Sequence, residues 1–91
     1  MYFDITFDPL KDAINRSQHG VSLDLAREIA WNDVVREVDG RRDYGKVREI
    51  GYMPIRGRIF CVVLTRRNSA RRIISLRRAN KREVKQYASN I

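Results

Sequence analysis

Fifteen of the chain's nineteen Lys/Arg residues lie between positions 41 and 91, beside apolar runs that alternate like strands. Arg48 stands in "DYGKVREIG", Arg66 and Arg67 in "VVLTRR", Arg72, Arg77 and Arg78 in "RRIISLRR", and Lys81 follows in "ANKRE". Tyr44, Lys46, His19 and the hydroxyls of Thr65 and Ser75 complete the chemically competent set. There is no glycine-rich phosphate loop, no H-E-x-x-H and no Cys/His cluster at metal-ligand spacing, so neither a metal nor another cofactor is expected. Such a set suits one reaction, transesterification of RNA, in which a ribose 2′-OH attacks its own phosphodiester. The substrate supplies the nucleophile; the protein must orient it, neutralise charge growing on the phosphate and move protons. Guanidinium forks match phosphate oxygens and stay charged at every physiological pH.

Each candidate has a second reading. Arg48 is read as a phosphate clamp, Arg67 as reaching the scissile phosphate and Arg77 as a functional side chain that strand geometry aims at one face, and a solvated strand or turn charge is the alternative for each. Tyr44 either donates a proton, stacks on a base or covers the core from a turn. His19 is an acid or base, or a cation at the negative end of a helix. Lys46, Arg66, Arg72, Arg78 and Lys81 are read as further contacts to RNA. Ser75 and Thr65 lack a local base and read as strand residues. Trp31 reads as core or as a place where a partner docks. The catalytic reading requires Arg48, Arg67 and Arg77, from separate β segments, to converge at one pocket.

The elements that must position these residues form an α+β pattern: a small antiparallel sheet with two N-terminal helices and one C-terminal helix. "YFDIT" reads as a first strand. Asp8 before Pro9 starts a helix expected to reach His19 and stop at Gly20, because the aspartate caps free N–H groups and proline's missing donor costs nothing there. Ser22 caps a second helix expected to reach about Ala30, with Leu25, Ile29 and Ala26 facing inward. From Val34 the texture becomes β: "VVREV", "KVREIGYMPI", "RIFCVVLT" and "RRIISLR", punctuated by the turn signals "DGRRDYG", "RGR" and "RRNSA". "IFCVVL" is apolar on both parities, as a central strand is. In the last strand a period of two sets Ile73, Ser75 and Arg77 on one side, and Arg72, Ile74, Leu76 and Arg78 on the other. Asn80 and Glu83 form a capping box for the final helix.

At 91 residues the chain is expected to form one domain, 1–91. The lone Cys61 sits within the apolar run, which suits a buried, reduced thiol. No apolar run approaches the roughly 20 residues of a membrane helix, and "MYFDITFDP" lacks the basic start of a signal peptide, so a cytoplasmic protein without membrane contact is expected. Charge is unevenly spread. Residues 1–40 carry four Lys/Arg and eight Asp/Glu, residues 41–91 fifteen and three; these give −4 and +12, the net +8 of the whole. A segment so basic repels itself unless it faces an anion, and nucleic acid is the commonest.

Four stretches in order also carry a family resemblance: "FDPLKDAINRSQHGVS", "RDYGKVREIG", "VVLTRR" and "RRIISLRRANKRE". Together they resemble the BrnT-type toxins, RelE-like ribonuclease toxins of type II toxin–antitoxin systems. The resemblance implies a compact RelE-like ribonuclease fold, endoribonuclease cleavage of mRNA that inhibits translation, and a BrnA-type antitoxin. That antitoxin would cover the active face and bind operator DNA, so the toxin would meet the operator only through it. The family usually has a glutamate where Lys46 stands and a lysine where Gln18 stands. Were that glutamate the general base, this chain would lack it, and Lys46 would instead contact phosphate. A non-catalytic nucleic-acid-binding module, or a subunit whose basic face meets an acidic partner, would use the same residues.

Overall fold

The computed structural model describes residues 4–31, 34–43, 46–67 and 69–89, and for 35–43 and 46 the backbone alone. The order of elements is β1 (Asp4–Thr6), α1 (Pro9–His19), a 3-10 helix (Leu23–Glu28), β2 (Val35–Asp43), β3 (Lys46–Ile55), β4 (Arg58–Arg67), β5 (Ala70–Arg78) and α2 (Lys81–Ser89). Asp8 caps α1 by accepting the Leu10 N–H at 2.9 Å. Gly20 ends it in a left-handed conformation, φ 75°, that a side chain would strain.

The second helix departs from expectation. It is a 3-10 helix, and its reason lies in the spacing: Leu23, Ala26 and Ile29 recur every three residues and are all buried. A three-residue turn stacks them on one side, where an α-helix would fan them apart. Leu25 is half-buried and packs at the margin of this core. The Asp12 carboxylate ties α1 to this helix, accepting from the Leu23 N–H at 2.7 Å and the Ser22 hydroxyl at 2.9 Å.

The sheet runs β1-β5-β4-β3-β2. β2, β3, β4 and β5 pair antiparallel in sequence order, whereas β1 pairs parallel with β5, which the long intervening connection permits. Arg56 and Gly57, both at positive φ, make the tight turn between β3 and β4. β4 is central, and residues of both parities, Cys61, Val62, Leu64 and Thr65, are buried. One face of the sheet carries the core: Met53, Ile55, Phe60, Val62, Leu64, Ile73 and Leu76 pack there with Ile5 and the 3-10 helix.

Strand alternation fails at one place in β5. Val63 pairs with Ser75 and Leu64 with Ile73, so Ile74 is an extra residue, a β-bulge. Ile73 therefore joins Leu76 in the core, and Arg72 moves to the face of Ser75 and Arg77, opposite to a strict period of two.

β1 covers the outer edge of β5 only from Ala70 to Arg72. Farther along, the buried Asn15 of α1 meets that edge: its Nδ2 donates to the Leu76 carbonyl at 2.8 Å, and its Oδ1 accepts the Leu76 N–H at 3.1 Å. A side-chain amide thus stands in for a strand. α1 turns this polar face inward and leaves Leu10 and Ile14 exposed.

Candidate active site

Cross-strand partners in an antiparallel sheet point to the same side. Tyr52, Cys61 and Arg77 are such partners and form a row across β3, β4 and β5 on the face opposite the core. Arg48 lies on the same face of β3, four residues from Tyr52, and Thr65 pairs with Arg72 on the same face of β4 and β5. Four residues of strand place this second row about 13 Å from the first. Arg67, two residues beyond Thr65, is exposed on the same side. Among the described residues this open face is half-exposed: Ile50, Tyr52, Val63, Ser75 and Arg77 are all of intermediate burial, and no residue of α2 is buried.

Arg48, Arg67 and Arg77 therefore share one face, with Arg72 beside them, but they do not converge at the one pocket expected. Arg77 lies in the first row, Arg48 and Arg72 in the second about 13 Å away, and Arg67 two residues beyond it, because four to six residues of extended strand separate them. The other expected contacts divide. Arg66 lies on the core side of β4, held by Glu49 at 2.6 Å. Arg78, opposite the core residue Phe60, also points away from the open face, as the alternation of Arg77 and Arg78 requires. Lys81 is exposed at the start of α2. His19 is exposed in the last turn of α1 and makes no hydrogen bond or ion pair with these arginines among the described residues. Tyr44 lies outside the described residues, and of Lys46 the backbone alone is described, paired with Asp43.

Among the described residues, several side-chain hydrogen bonds of this face gather at the junction of β5 with α2. The capping box forms: the Glu83 N–H donates to Asn80 Oδ1 and the Asn80 N–H to Glu83 Oε1, each at 2.9 Å. The same carboxylate accepts from Arg77 Nη1 at 2.8 Å and Nη2 at 2.9 Å, and from the Tyr52 hydroxyl at 3.3 Å. Hydrogen bonds from Arg77, with burial opposing them, hold the Glu83 carboxyl down at about 2. The Arg77 guanidinium is raised above its ordinary value by the same bonds. Burial, with Cys61 and Glu83 nearby, pushes the Tyr52 hydroxyl up. Near neutral pH Glu83 is thus an anion, Arg77 a cation and Tyr52 a protonated donor, and none of the three is a ready proton acceptor.

Sequence reasoning missed Tyr52 and the second role of Glu83. Tyr52 has the parity of Arg48 within "KVREIGYMPI", a signal that was available. Glu83 was legible as a helix cap but not as the partner of Arg77. Among the described residues no group of three His, Cys, Asp or Glu could hold a metal ion, and no helix is long and apolar enough to cross a membrane.

Comparison with known proteins gives the arrangement a family. Residues 7–83 match the model of the family described as "Ribonuclease toxin, BrnT, of type II toxin-antitoxin system". The fold is similar to the crystal structure of the ribonuclease toxin BrnT of Brucella abortus, with a TM-score of 0.64 at 20% identity over 88% of this chain and 100% of that one. No curated protein matches the chain. At that identity the structural likeness speaks for the fold alone, whereas the family match spans both the open face and its junction with α2. The chain belongs to the BrnT ribonuclease toxins of type II toxin–antitoxin systems.

Proposed function

We propose that the open face of the sheet is where this endoribonuclease toxin binds and cleaves RNA, by metal-independent attack of a ribose 2′-OH on the adjacent phosphodiester. The observation that carries this reading is the common face of Arg48, Arg67, Arg72 and Arg77, reached from three strands. A separation of about 13 Å between the rows matches roughly four stacked nucleotides at about 3.4 Å each, so one RNA strand can touch both. Arg77 contacts the scissile phosphate and stabilises charge developing on its oxygens. Tyr52 stays protonated beside it and gives its one hydroxyl hydrogen to Glu83. Arg48, Arg67 and Arg72 hold the flanking phosphates, with Lys46 and Lys81 at the margins. Arg66, Arg78 and His19 are left outside the cleavage centre.

The toxin's partner is an antitoxin, as its family implies. On our reading that antitoxin is BrnA-like, carries the operator-binding domain and covers the open face, where an acidic segment would replace RNA phosphates. The activity belongs in the cytoplasm, where cleaving mRNA inhibits translation. Purified protein is expected to cut single-stranded RNA in EDTA. The P–O5′ bond breaks as the 2′-oxygen bonds to phosphorus, the 2′-OH proton passes to water and the 5′-oxygen takes one up, leaving 2′,3′-cyclic phosphate and 5′-hydroxyl ends. Arg77→Ala is expected to lower the rate at least about 100-fold while its circular dichroism spectrum stays native. Full activity in a folded Arg77→Ala variant, or dependence on a divalent ion, would overturn the reading.

A further inference from the structure

We propose that Glu83 is a positioning residue for RNA cleavage: it grips one edge of the Arg77 guanidinium so that the opposite, side-on edge is presented to the scissile phosphate. This rests on the open face being the cleavage surface. A guanidinium has five N–H donors in a fixed plane. In Arg77, Nη1 is fully used, donating to Glu83 Oε1 at 2.8 Å and to the Arg78 carbonyl at 3.2 Å. Nη2 gives one hydrogen to Glu83 Oε2 at 2.9 Å. Among the described residues, Nε–H and the second Nη2 hydrogen have no acceptor, and these two lie side by side on the remaining edge. Such a pair fits two oxygens of one phosphate. The Arg77 side chain is 35% exposed while that of Glu83 is 13% exposed, so the arginine is the member of the pair that solvent and a ligand can reach.

The rest of the neighbourhood holds the carboxylate still. Glu83 is fixed from behind by the Asn80 N–H and from the side by the Tyr52 hydroxyl. The pair is neutral as a unit, so its value to the reaction is direction more than charge. A freely rotating arginine would have to be ordered in the transition state; here that ordering is complete beforehand.

Three variants of the full chain test this, with single-turnover cleavage of a mixed-sequence single-stranded RNA. Glu83→Gln keeps a capping-box acceptor yet loses the paired charge. Its maximal rate is expected to fall at least about 10-fold while the half-saturating RNA concentration is unchanged or lower, and Arg77→Ala/Glu83→Gln is expected to be no slower than Arg77→Ala. Asn80→Ala removes the other half of the cap and is expected to lower Tm with a maximal rate within about 2-fold of wild type. Should Glu83→Gln fail to fold, the wild-type protein still decides. The Arg77 Nε–H resonance is expected to shift when RNA lacking the reactive 2′-OH is added. Wild-type rates in Glu83→Gln beside an inactive Arg77→Ala, multiplicative losses in the double variant, or an unmoved Nε–H signal would overturn the positioning role alone. Wild-type rates in Arg77→Ala would overturn it together with the cleavage surface.

Discussion

Replacing Asn15 by alanine tests whether α1 is held to the sheet by one amide. The side chain is buried and makes three hydrogen bonds, two of them with the N–H and C=O of Leu76 and one with the Val21 carbonyl. Leu76 is wholly buried, so alanine strands a donor and an acceptor where water has little access. Each stranded group costs about 1–3 kcal/mol, which puts the loss at about 2–6 kcal/mol. A domain of this length has roughly 5–14 kcal/mol in total, so the change consumes a large share. At about 4–8 °C per kcal/mol, Tm is expected to fall by at least about 8 °C. Urea unfolding followed by circular dichroism is the assay, with a lower midpoint and an unchanged slope expected. Asn15→Asp refines the test: its carboxylate can accept the Leu76 N–H but faces two carbonyls with oxygen. Its pKa is therefore raised in the folded state, and the stability recovered by protonation is present below about pH 4 and lost as pH rises through the folded pKa. A loss below about 1 kcal/mol in Asn15→Ala would refute the edge-capping argument.

The Arg77–Glu83 pair gives an acid signature. The Glu83 carboxyl falls from 4.5 to about 2 on folding, so its contribution to stability is present above pH 4.5 and is lost as pH falls toward 2. Unfolding midpoints of wild type and Glu83→Gln are expected to converge across that window, and parallel curves would contradict the pairing. Gly57→Ala is expected to cost about 1–2 kcal/mol by calorimetry through backbone conformation alone, because φ is +79° while nothing lies within 4 Å of an added Cβ. An unchanged Tm would show that the turn does not need this geometry.

The parts of the fold set by local chemistry were legible. Asp8-Pro9, Gly20, Ser22 and the Asn80/Glu83 pair each act on backbone groups within a few residues, and the structure places a helix end at every one. The central strand was legible for a related reason, since both parities of "IFCVVL" had to be buried. Whatever depends on distant partners was not. Asn15 reads as an ordinary polar helix residue until Leu76, 61 positions away, supplies its reason. The parallel pairing of β1 with β5 and the triad at three-residue spacing are likewise decided by what packs against them. For the candidate site, the sequence singles out the arginines by type and charge, but their division between two faces waits on the register.

The register decides through a single residue. Without the extra Ile74, Arg72 would follow the parity of Leu76 into the core face, where Ile73 now sits fully buried. The bulge exchanges the two: an apolar side chain goes to the core and a cation to the open face, in one step. On the proposed reading this also separates two tasks among the arginines. Arg77 is neutralised by Glu83 and so contributes direction at one phosphate. Arg67 and Arg72 have no ion pair among the described residues and so contribute the charge that draws an RNA strand along the face. Two cations on one face repel one another when no anion is present. On the proposed reading a phosphate backbone, or an acidic antitoxin segment, removes that repulsion.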